Sequence, residues 1–580
     1  MDIFRDTSRK KMIILVFAII LLQLAVSTYF MAFKKNGYYS DDMYSYGFAN
    51  SPGIFTPLDL AESDEKKINS NKWLDSSLLH EYLTVSKDER FTFGRVAKTL
   101  EDDSHPPLFY FMLHAICSLA PDTFSKWFGF IINAIGFTIL QVYLYRLSLY
   151  ISKNRFMSVL IITFFGFTSA CISMMCLLRM YMLGTGFTVA QTYYSMKYAF
   201  SPHDKGFKSK DLLMSCIFLY LGAMTVYESV MFAFLFTLFM CCILLFKKQF
   251  KKMFILGFSS LISVALMVLS FPTFIHQTTA PIAMQGSALY PYMLQLRTSI
   301  HVICNDLFAL DTPIFPSMIP FYIGVGLIAI IIIYLLMRVL FRNDEWFKNL
   351  RKKAIVWFKN TLTKSRPYTL TLLPIVLSCV LLTLYLSKTL QIYYFGNLSI
   401  RYLFILTPFI AMSILLLIFK LIQSKYVCVA IALILTCFSL LFGDKSYLLT
   451  NFRTKEIASI TKDSDVVIAC SQSPEFMNHI MELYNSKSFL YTNTKSIVEH
   501  EPDDEILEKS SNSDSMLLLL DVLATSTNIV RTNVVDYTTG KQQVDFSEDN
   551  DVLHYFQSLN CFDDIQYLGR YYDFHIYKLK

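Results

Sequence analysis

The sequence changes character at Glu101-Asp102-Asp103-Ser104-His105-Pro106-Pro107-Leu108-Phe109-Tyr110, where a long polar segment gives way to a long apolar one. The same polar segment contains an acidic pair, Asp41-Asp42, near its beginning. Prolines suit the first turn of a helix, because the N–H that they lack would have no intrahelical partner there. The pattern therefore predicts carboxylates and an imidazole just outside the start of a membrane helix.

The composition is that of a polytopic membrane protein. Of the 580 residues, 54% are hydrophobic and only 17% are charged, and the mean hydropathy is +0.43. The net charge of +7 combines two opposite parts, since residues 451–580 carry 21 acidic and 11 basic residues, a balance of −10. The basic excess elsewhere lies mostly in short loops between apolar runs, as expected of cytoplasmic loops. No nucleic-acid partner is indicated.

The first transmembrane helix is predicted at residues 12–33, which are almost wholly apolar and match the roughly 20 residues that span a bilayer. Basic residues precede it, so the N-terminus should be cytoplasmic. Residues 34–105 then form an ordered external loop, in which residues 73–82 are expected to be a helix on the membrane surface.

The apolar run at residues 106–120 is short, and it fits either a re-entrant segment or a full span that begins one turn earlier. Further apolar runs lie at 124–147, 156–175, 182–198, 212–225, 230–246, 253–271, 320–340, 369–386, 402–419 and 426–442. The predicted number of transmembrane helices is odd, about 11 to 13. The C-terminal region should therefore lie outside the cytoplasm.

Two domains are predicted. Residues 1–444 form an all-α polytopic membrane domain that includes the external loop 34–105. Residues 445–580 alternate strand-like runs with helical stretches, which indicates a small extracytoplasmic α/β or α+β domain with a terminal hairpin. The expected strands lie at 465–469, 488–491, 515–521, 528–535, 565–568 and 573–579.

The acidic residues of the external loop are the candidates for catalysis. A carboxylate of Asp41, Asp42 or Asp103 at the membrane surface can act as general base toward a hydroxyl or an amine. His105 adds an imidazole beside Asp103. The competing interpretation is an acidic, solvated loop with an ordinary interfacial histidine.

Two arginine–tyrosine pairs are candidates for binding phosphate. Arg179 and Tyr181 stand at the predicted outer end of one apolar run, and Arg401 and Tyr402 stand at that of another. A guanidinium can bind phosphate through two parallel hydrogen bonds. The alternative is an arginine that reaches toward lipid headgroups.

The order of these motifs resembles the GT-C membrane glycosyltransferases. It is most similar to the bacterial branch related to protein O-mannosyltransferases and lipid A aminoarabinose transferases. The resemblance covers about residues 12–445, and the histidine-proline-proline-leucine element at His105 is its most specific part. It implies an inverting hexosyltransferase that uses a polyprenyl-phosphate sugar at the outer face of the membrane.

The resemblance also assigns roles to residues. Asp41 falls on the position of the catalytic base, while Asp42 replaces a glutamate and leaves the choice between the two open. Asp103 and His105 fall on positions that line the acceptor and donor-phosphate site, and Arg401 is better placed than Arg179 for a phosphate contact. The branch implies no obligatory metal, although these carboxylates and the imidazole could ligate a divalent cation.

Three functions remain compatible with the sequence. The first is transfer of a sugar from an undecaprenyl- or dolichyl-type phosphate to a cell-envelope glycan, lipid or protein. The second is a transporter or flippase for lipid-linked sugars, which should carry ionisable residues deep in its spans. The third is a non-catalytic envelope assembly protein whose C-terminal domain binds a partner. Charged groups that cluster at one interface favour the enzyme.

Overall fold

A computed structural model describes most of the chain. The described residues are 9–51, 56–57, 73–101, 103, 105–201, 209–279, 289–310, 371–390, 396–422, 424–470, 476–493, 509, 516–521, 535–536, 541–542, 556, 562, 564–571 and 574–580. They fall into two compact units. The first comprises Met1–Phe30, Asp103–Phe109 and Gly129–Tyr447, and the second comprises Met31–Asp102, Tyr110–Phe128 and Leu448–Lys580.

Helices dominate the described part of the chain. They are α1 Arg9–Phe33, α2 Ser40–Asn50, α3 Ser77–Leu83, α4 Phe93–Thr99, α5 Leu108–Leu119, α6 Lys126–Ser152, α7 Arg155–Gly166, α8 Ser169–Cys176, α9 Tyr181–Ala199, α10 Ser209–Ala223, α11 Tyr227–Phe246, α12 Phe250–Ser270, α13 Thr273–Thr279, α14 Leu289–Phe308, α15 Thr371–Thr389, α16 Thr407–Leu421, α17 Lys425–Phe442, α18 Thr454–Ile460 and α19 Ile480–Leu483. The 3₁₀ segments are Lys87–Glu89, Gly396–Leu406, Ser446–Leu448 and Met477–His479.

The described residues contain 7 helices that are long and apolar enough to cross a membrane, or up to 8 if the bent pair α7 and α8 forms one span. The 7 are α1, α6, α11, α12, α15, α17 and the continuous segment Asn397–Lys420. The chain is therefore a multi-pass membrane protein, as predicted. The predicted run at 320–340 lies outside the described residues, and the orientation of the termini stays a prediction.

Two local features bear on the predicted spans. The run after Pro106 forms α5, a helix of 12 residues, which is too short to span a bilayer alone. The α7–α8 pair is bent by 56°. Helices α7 and α8 each begin at a side-chain cap. The side-chain oxygen of Asn154 accepts from the N–H groups of Phe156 and Met157, and the Thr168 hydroxyl accepts from the N–H of Cys171.

Helices α6 and α9 cross at close range in the first unit. A Cβ added to Gly136 would lie 2.7 Å from Cα of Leu183, and one added to Gly186 would lie 2.7 Å from the Gly136 carbonyl oxygen. Only glycine permits this approach without a shift of backbone, since real Cβ contacts are not that short. The crossing fixes the start of α9 against α6.

The second unit contains a six-stranded sheet in the order β1-β3-β2-β4-β8-β7. Its strands are β1 Trp73–Asp75, β2 Asp465–Cys470, β3 Ser488–Asn493, β4 Met516–Asp521, β7 Ile565–Tyr571 and β8 Phe574–Leu579, and a separate ribbon pairs β5 Val535–Asp536 with β6 Lys541–Gln542. The neighbours β3, β2 and β4 are parallel, whereas β1, β8 and β7 pair antiparallel. The sheet of the C-terminal region and its terminal hairpin, β7–β8, thus form as predicted, and the bounds of the two domains stay a prediction.

The sheet core explains why these strands were visible in the sequence. All six residues of β2 are buried, as expected of a parallel strand covered on both faces. Val467, Leu490 and Leu518 form one apolar cluster with Phe556 and Leu579. One element differs from its prediction, because Trp73–Asp75 is not helical but pairs with β3 as the edge strand. The helix of this loop begins only at Ser77.

Candidate active site

The predicted site residues are distributed over both compact units. Asp41 and Asp42 belong to the second unit, and Asp103, His105, Arg179, Tyr181, Arg401 and Tyr402 belong to the first. The described contacts bring Asp103 to His105. They also bring the segment of Tyr181 to that of Arg401, as described below. Each unit is treated in turn.

Asp42 is a structural carboxylate of the second unit. Its Oδ2 lies 2.8 Å from Nζ of Lys35, and the two side chains are 0% and 1% exposed. The same oxygen accepts a hydrogen bond of 3.1 Å from the N–H of Tyr39, the residue before α2. A carboxylate at the third position of a helix that accepts from the N-cap amide is half of a capping box. Asp42 therefore fixes the start of α2 and balances a buried ammonium group.

Asp41 occupies a different environment one residue earlier in the same helical turn. Its side chain is half-buried, whereas Asp42 is fully buried. Its backbone carbonyl accepts from the Ser45 hydroxyl at 2.9 Å, one turn further along α2. The positive end of the helix dipole favours a negative charge in this first turn. Of the two neighbouring residues, Asp41 is the partly exposed one.

Tyr38 lies in the segment that leads into α2, and the negative charges of Asp42 and Glu482 act on its phenol. The pKa of the Tyr38 phenol is raised above its usual value, first by burial, then by the charge of Asp42 and then by that of Glu482. Tyr38 therefore stays protonated at neutral pH. Its ring packs edge-on against Phe124 with centroids 5.7 Å apart.

In the first unit, Asp103 and His105 form a hydrogen-bonded pair. Nδ1 of His105 lies 2.8 Å from Oδ2 of Asp103, and the side chains are 23% and 8% exposed. A carboxylate on one ring nitrogen fixes the orientation of an imidazole. The pair lies just before α5, as the sequence predicted, although a shared role in binding stays a prediction.

The neighbours of this pair were not singled out by the sequence analysis as a group. The N–H of Leu108, the first residue of α5, donates to the carbonyl of Met224 at 2.8 Å. This bond brings the residues just after the pair close to the start of α11, which carries Tyr227 and Glu228. The Tyr227 hydroxyl in turn donates to the Gln277 side chain. The signal in the sequence was only that Glu228 follows a tyrosine at an apolar boundary.

Arg179 lies in the break between α8 and α9 and is 4% exposed. The Asn133 side chain, from α6, donates to the carbonyls of Met175 and Leu177 at 3.1 and 2.7 Å. These bonds satisfy carbonyls at the end of α8, which have no intrahelical partner. Asn133 therefore stabilises the irregular turn that carries Arg179. Its only signal in the sequence is an isolated asparagine within an apolar run.

Arg401 lies in the 3₁₀ segment that precedes α16 and is 5% exposed. Nη2 donates to the Tyr402 hydroxyl at 2.8 Å, and Nη1 donates to the Tyr447 hydroxyl at 3.3 Å. The Tyr447 hydroxyl itself donates to the carbonyl of Leu398. Two tyrosines thus orient one guanidinium. Tyr402 was predicted as its companion, whereas Tyr447 is too distant in sequence to be recognised.

The two arginine–tyrosine pairs lie on neighbouring elements of the first unit. The ring of Tyr181, at the start of α9, packs edge-on against Phe404 in the 3₁₀ segment at 6.0 Å between centroids. Phe404 also contacts the Tyr447 ring at 6.1 Å. An aromatic cluster therefore connects the turn of Arg179 to the segment of Arg401. Phosphate binding by either arginine stays a prediction.

Comparison with known proteins gives matches only among solved structures. No protein-family model and no curated protein matches the sequence. ArnT from Cupriavidus metallidurans bound to undecaprenyl phosphate is similar over 98% of this chain and 98% of its own, with 9% identity and a TM-score of 0.44. The archaeal oligosaccharyltransferase AglB from Archaeoglobus fulgidus, in complex with an inhibitory peptide and a dolichol-phosphate, is similar over 96% of this chain and 74% of its own, with 10% identity and a TM-score of 0.41.

At 9% and 10% identity and with TM-scores below 0.5, these two likenesses assign no role to any residue of this chain. Among the described residues, no group of three or more His, Cys, Asp or Glu side chains is arranged to hold a metal ion.

Proposed function

We propose that this protein is an inverting membrane glycosyltransferase that moves a sugar, of the hexose class, from a polyprenyl-phosphate donor to a cell-envelope acceptor. The observation that carries the proposal is the different environment of two neighbouring carboxylates. Asp42 is committed to Lys35 and to the start of α2, and Asp41 beside it is accessible. A general base must reach the proton that it removes, so Asp41 is the base.

The reaction is a single displacement. The acceptor oxygen or nitrogen forms a bond to the anomeric carbon, and the bond from that carbon to the phosphate oxygen breaks on the opposite face. The acceptor proton passes to the carboxylate of Asp41, and the electron pair leaves with the polyprenyl phosphate. A phosphate leaving group needs little help from an acid, but its growing negative charge is stabilised by cations that are already in place.

The arginines are assigned to that leaving group. The guanidinium of Arg401 is held by two tyrosine hydroxyls, and its planar array of donors matches phosphate oxygens. Arg179 is the second cation, on the neighbouring element. The Asp103–His105 pair is assigned to binding of the acceptor and of the donor phosphate, with the imidazole oriented by the carboxylate. The assigned roles include no obligatory metal.

The test measures donor consumption by purified protein in lipid nanodiscs. With a radiolabelled polyprenyl-phosphate hexose, the wild type should release label as transferred or hydrolysed sugar. Asp41→Asn should slow this by about 10²-fold or more, the usual contribution of a general base. Asp88→Asn, which changes an exposed aspartate of the same unit, is the matched control and should leave the rate unchanged.

Two outcomes would refute the assignment. Equal handling of donor by the wild type and Asp41→Asn would remove Asp41 from catalysis. Transport of intact lipid-linked sugar across a vesicle membrane, without release of label, would favour the flippase alternative instead.

A further inference from the structure

The segment that leads into α2, residues 34–39, docks onto the C-terminal part of the chain within the second unit. We call this segment the strap. The N–H of Asn36 donates to the carbonyl of Leu448 at 3.0 Å, and its side-chain amide donates to the carbonyl of Thr450 at 2.9 Å. These bonds join residues that are far apart in sequence. The strap is therefore held by backbone of the residues that lead into the α/β domain.

The next residue of the strap packs so tightly that only glycine fits. A Cβ added to Gly37 would lie 2.6 Å from Cβ of Phe452. The Phe452 ring in turn stacks on His479 with centroids 5.9 Å apart, and His479 packs edge-on against Phe574 of β8 at 4.3 Å. A continuous series of rings thus connects the strap to the sheet.

The helix itself is held by a side chain of the same domain. The N–H of Ser40, the first residue of α2, donates to Oδ1 of Asn478 at 2.7 Å. The first N–H groups of a helix have no intrahelical acceptor, and a side-chain carbonyl that accepts from one fixes where the helix begins. Here the acceptor comes from a distant domain element rather than from the residue before the helix.

Asn478 is itself rigidly supported. It lies in the 3₁₀ turn Met477–His479, where Met477 is fully buried. The following residues are fixed by Glu482, whose carboxylate accepts from the Thr454 hydroxyl at 2.7 Å and lies 3.6 Å from Nδ1 of His479. An acceptor on such a support has a defined position.

We propose that Asn478 is a positioning residue that sets the placement of α2 and so aims the carboxylate of Asp41. The proposal rests on the proposed function, because Asp41 is the group whose placement matters. It gives the C-terminal domain a direct task in the transfer reaction. Asn478 acts through the Ser40 amide, one residue before Asp41, and touches neither donor nor acceptor in this role.

The kinetic test compares three variants in the donor assay. Asn478→Ala removes the acceptor and should lower kcat about tenfold with little change in donor KM, since small displacements of a catalytic group slow chemistry strongly. Asn478→Asp restores an acceptor oxygen, and a negative charge suits the start of a helix, so it should recover most of kcat. Asn485→Ala, an exposed asparagine of the same domain, is the control and should behave like the wild type.

Hydrogen exchange tests the contact without relying on activity. Mass spectrometry of a peptide covering residues 36–44 should show faster exchange of the Ser40 amide in Asn478→Ala, and wild-type exchange in Asn478→Asp and Asn485→Ala. Unchanged exchange in Asn478→Ala would overturn the inference.

The outcomes separate this inference from the proposed function. An active wild type with an equally active Asn478→Ala variant refutes the positioning role alone. Equal loss of kcat in the Ala and Asp variants, accompanied by a lower unfolding temperature in both, would show a merely structural residue and also overturn it. A wild type that releases no sugar from any polyprenyl-phosphate donor refutes the proposed function, and Asn478 then has no catalytic group to position.

Discussion

Lys35→Met should destabilise the second unit strongly. The Lys35 ammonium and the Asp42 carboxylate are 2.8 Å apart, and their side chains are 1% and 0% exposed. The substitution keeps the aliphatic bulk but leaves a buried carboxylate without its neighbouring ammonium group. Removal of one partner from a buried ion pair costs about 3–5 kcal/mol, so the free energy of unfolding should fall by that amount.

A double-mutant cycle sharpens this prediction. Asp42→Asn keeps an oxygen that can accept from the Tyr39 amide, but it removes the negative charge beside the buried Lys35 ammonium. It should therefore also be destabilising. The double variant Lys35→Met/Asp42→Asn buries neither charge and should lose less stability than the two single changes together, by about 1 kcal/mol or more.

The assay is denaturation of the purified protein by SDS in mixed micelles, followed by near-UV circular dichroism. Lys87→Met, which removes an exposed lysine of the same unit, is the control and should change stability by less than about 0.5 kcal/mol. The reasoning fails if Lys35→Met is as mild as this control, or if the two single changes are additive.

Three further predictions concern other parts of the chain. Arg401→Ala should raise the KM for donor about tenfold or more and leave the KM for acceptor nearly unchanged. Arg401→Lys should recover only part of the donor affinity, because an ammonium lacks the planar array of donors. A larger effect on the KM for acceptor would give Arg401 another role. Gly37→Ala should destabilise by about 1–3 kcal/mol through overpacking against Phe452, and Gly37→Ala/Phe452→Ala should recover part of this loss in the same denaturation assay. Burial, and then the charge of Arg570, hold the pKa of His575 below its usual value. The unfolded chain therefore binds more protons than the folded one, and the unfolding temperature should fall as pH drops below about 6.5. A His575→Gln variant whose unfolding temperature falls equally steeply with pH would contradict this.

Much of the fold could be predicted because it follows from local patterns. The apolar run at 12–33 became α1, and the strand-like runs at 465–469 and 488–491 became β2 and β3 within two residues. Buried parallel strands and bilayer-spanning helices are both continuous apolar runs. Their lengths separate one from the other.

The element that differs from its prediction does so because it pairs with a distant part of the chain. The apolar residues of 73–82 predict a helix on the membrane surface, but backbone bonds to β3 make residues 73–75 a strand. No local pattern reveals such a partner.

The candidate site shows the same limit. Asp41 and Asp42 are adjacent in sequence, so composition could not separate them, and the distinction comes from the ion pair that Lys35 of the strap forms with Asp42. Tyr447 joins Arg401 through the fold of the first unit alone. The order of the motifs indicates which residues to consider, whereas the burial and the partners of those residues depend on the folded structure.

The edge position of β1 constrains how this protein can be made and dissected. The first strand of the sheet is synthesised early, and its partner β3 emerges only after the whole helical region. Until then β1 has no strand to pair with. Pairing between segments so far apart in sequence is slow, so it delays completion of the sheet. A recombinant fragment that starts at residue 445 would leave β3 as a bare edge with open amide and carbonyl groups, which invites strand exchange between molecules. Fragments that retain the external loop would keep β3 paired with β1 and should aggregate less.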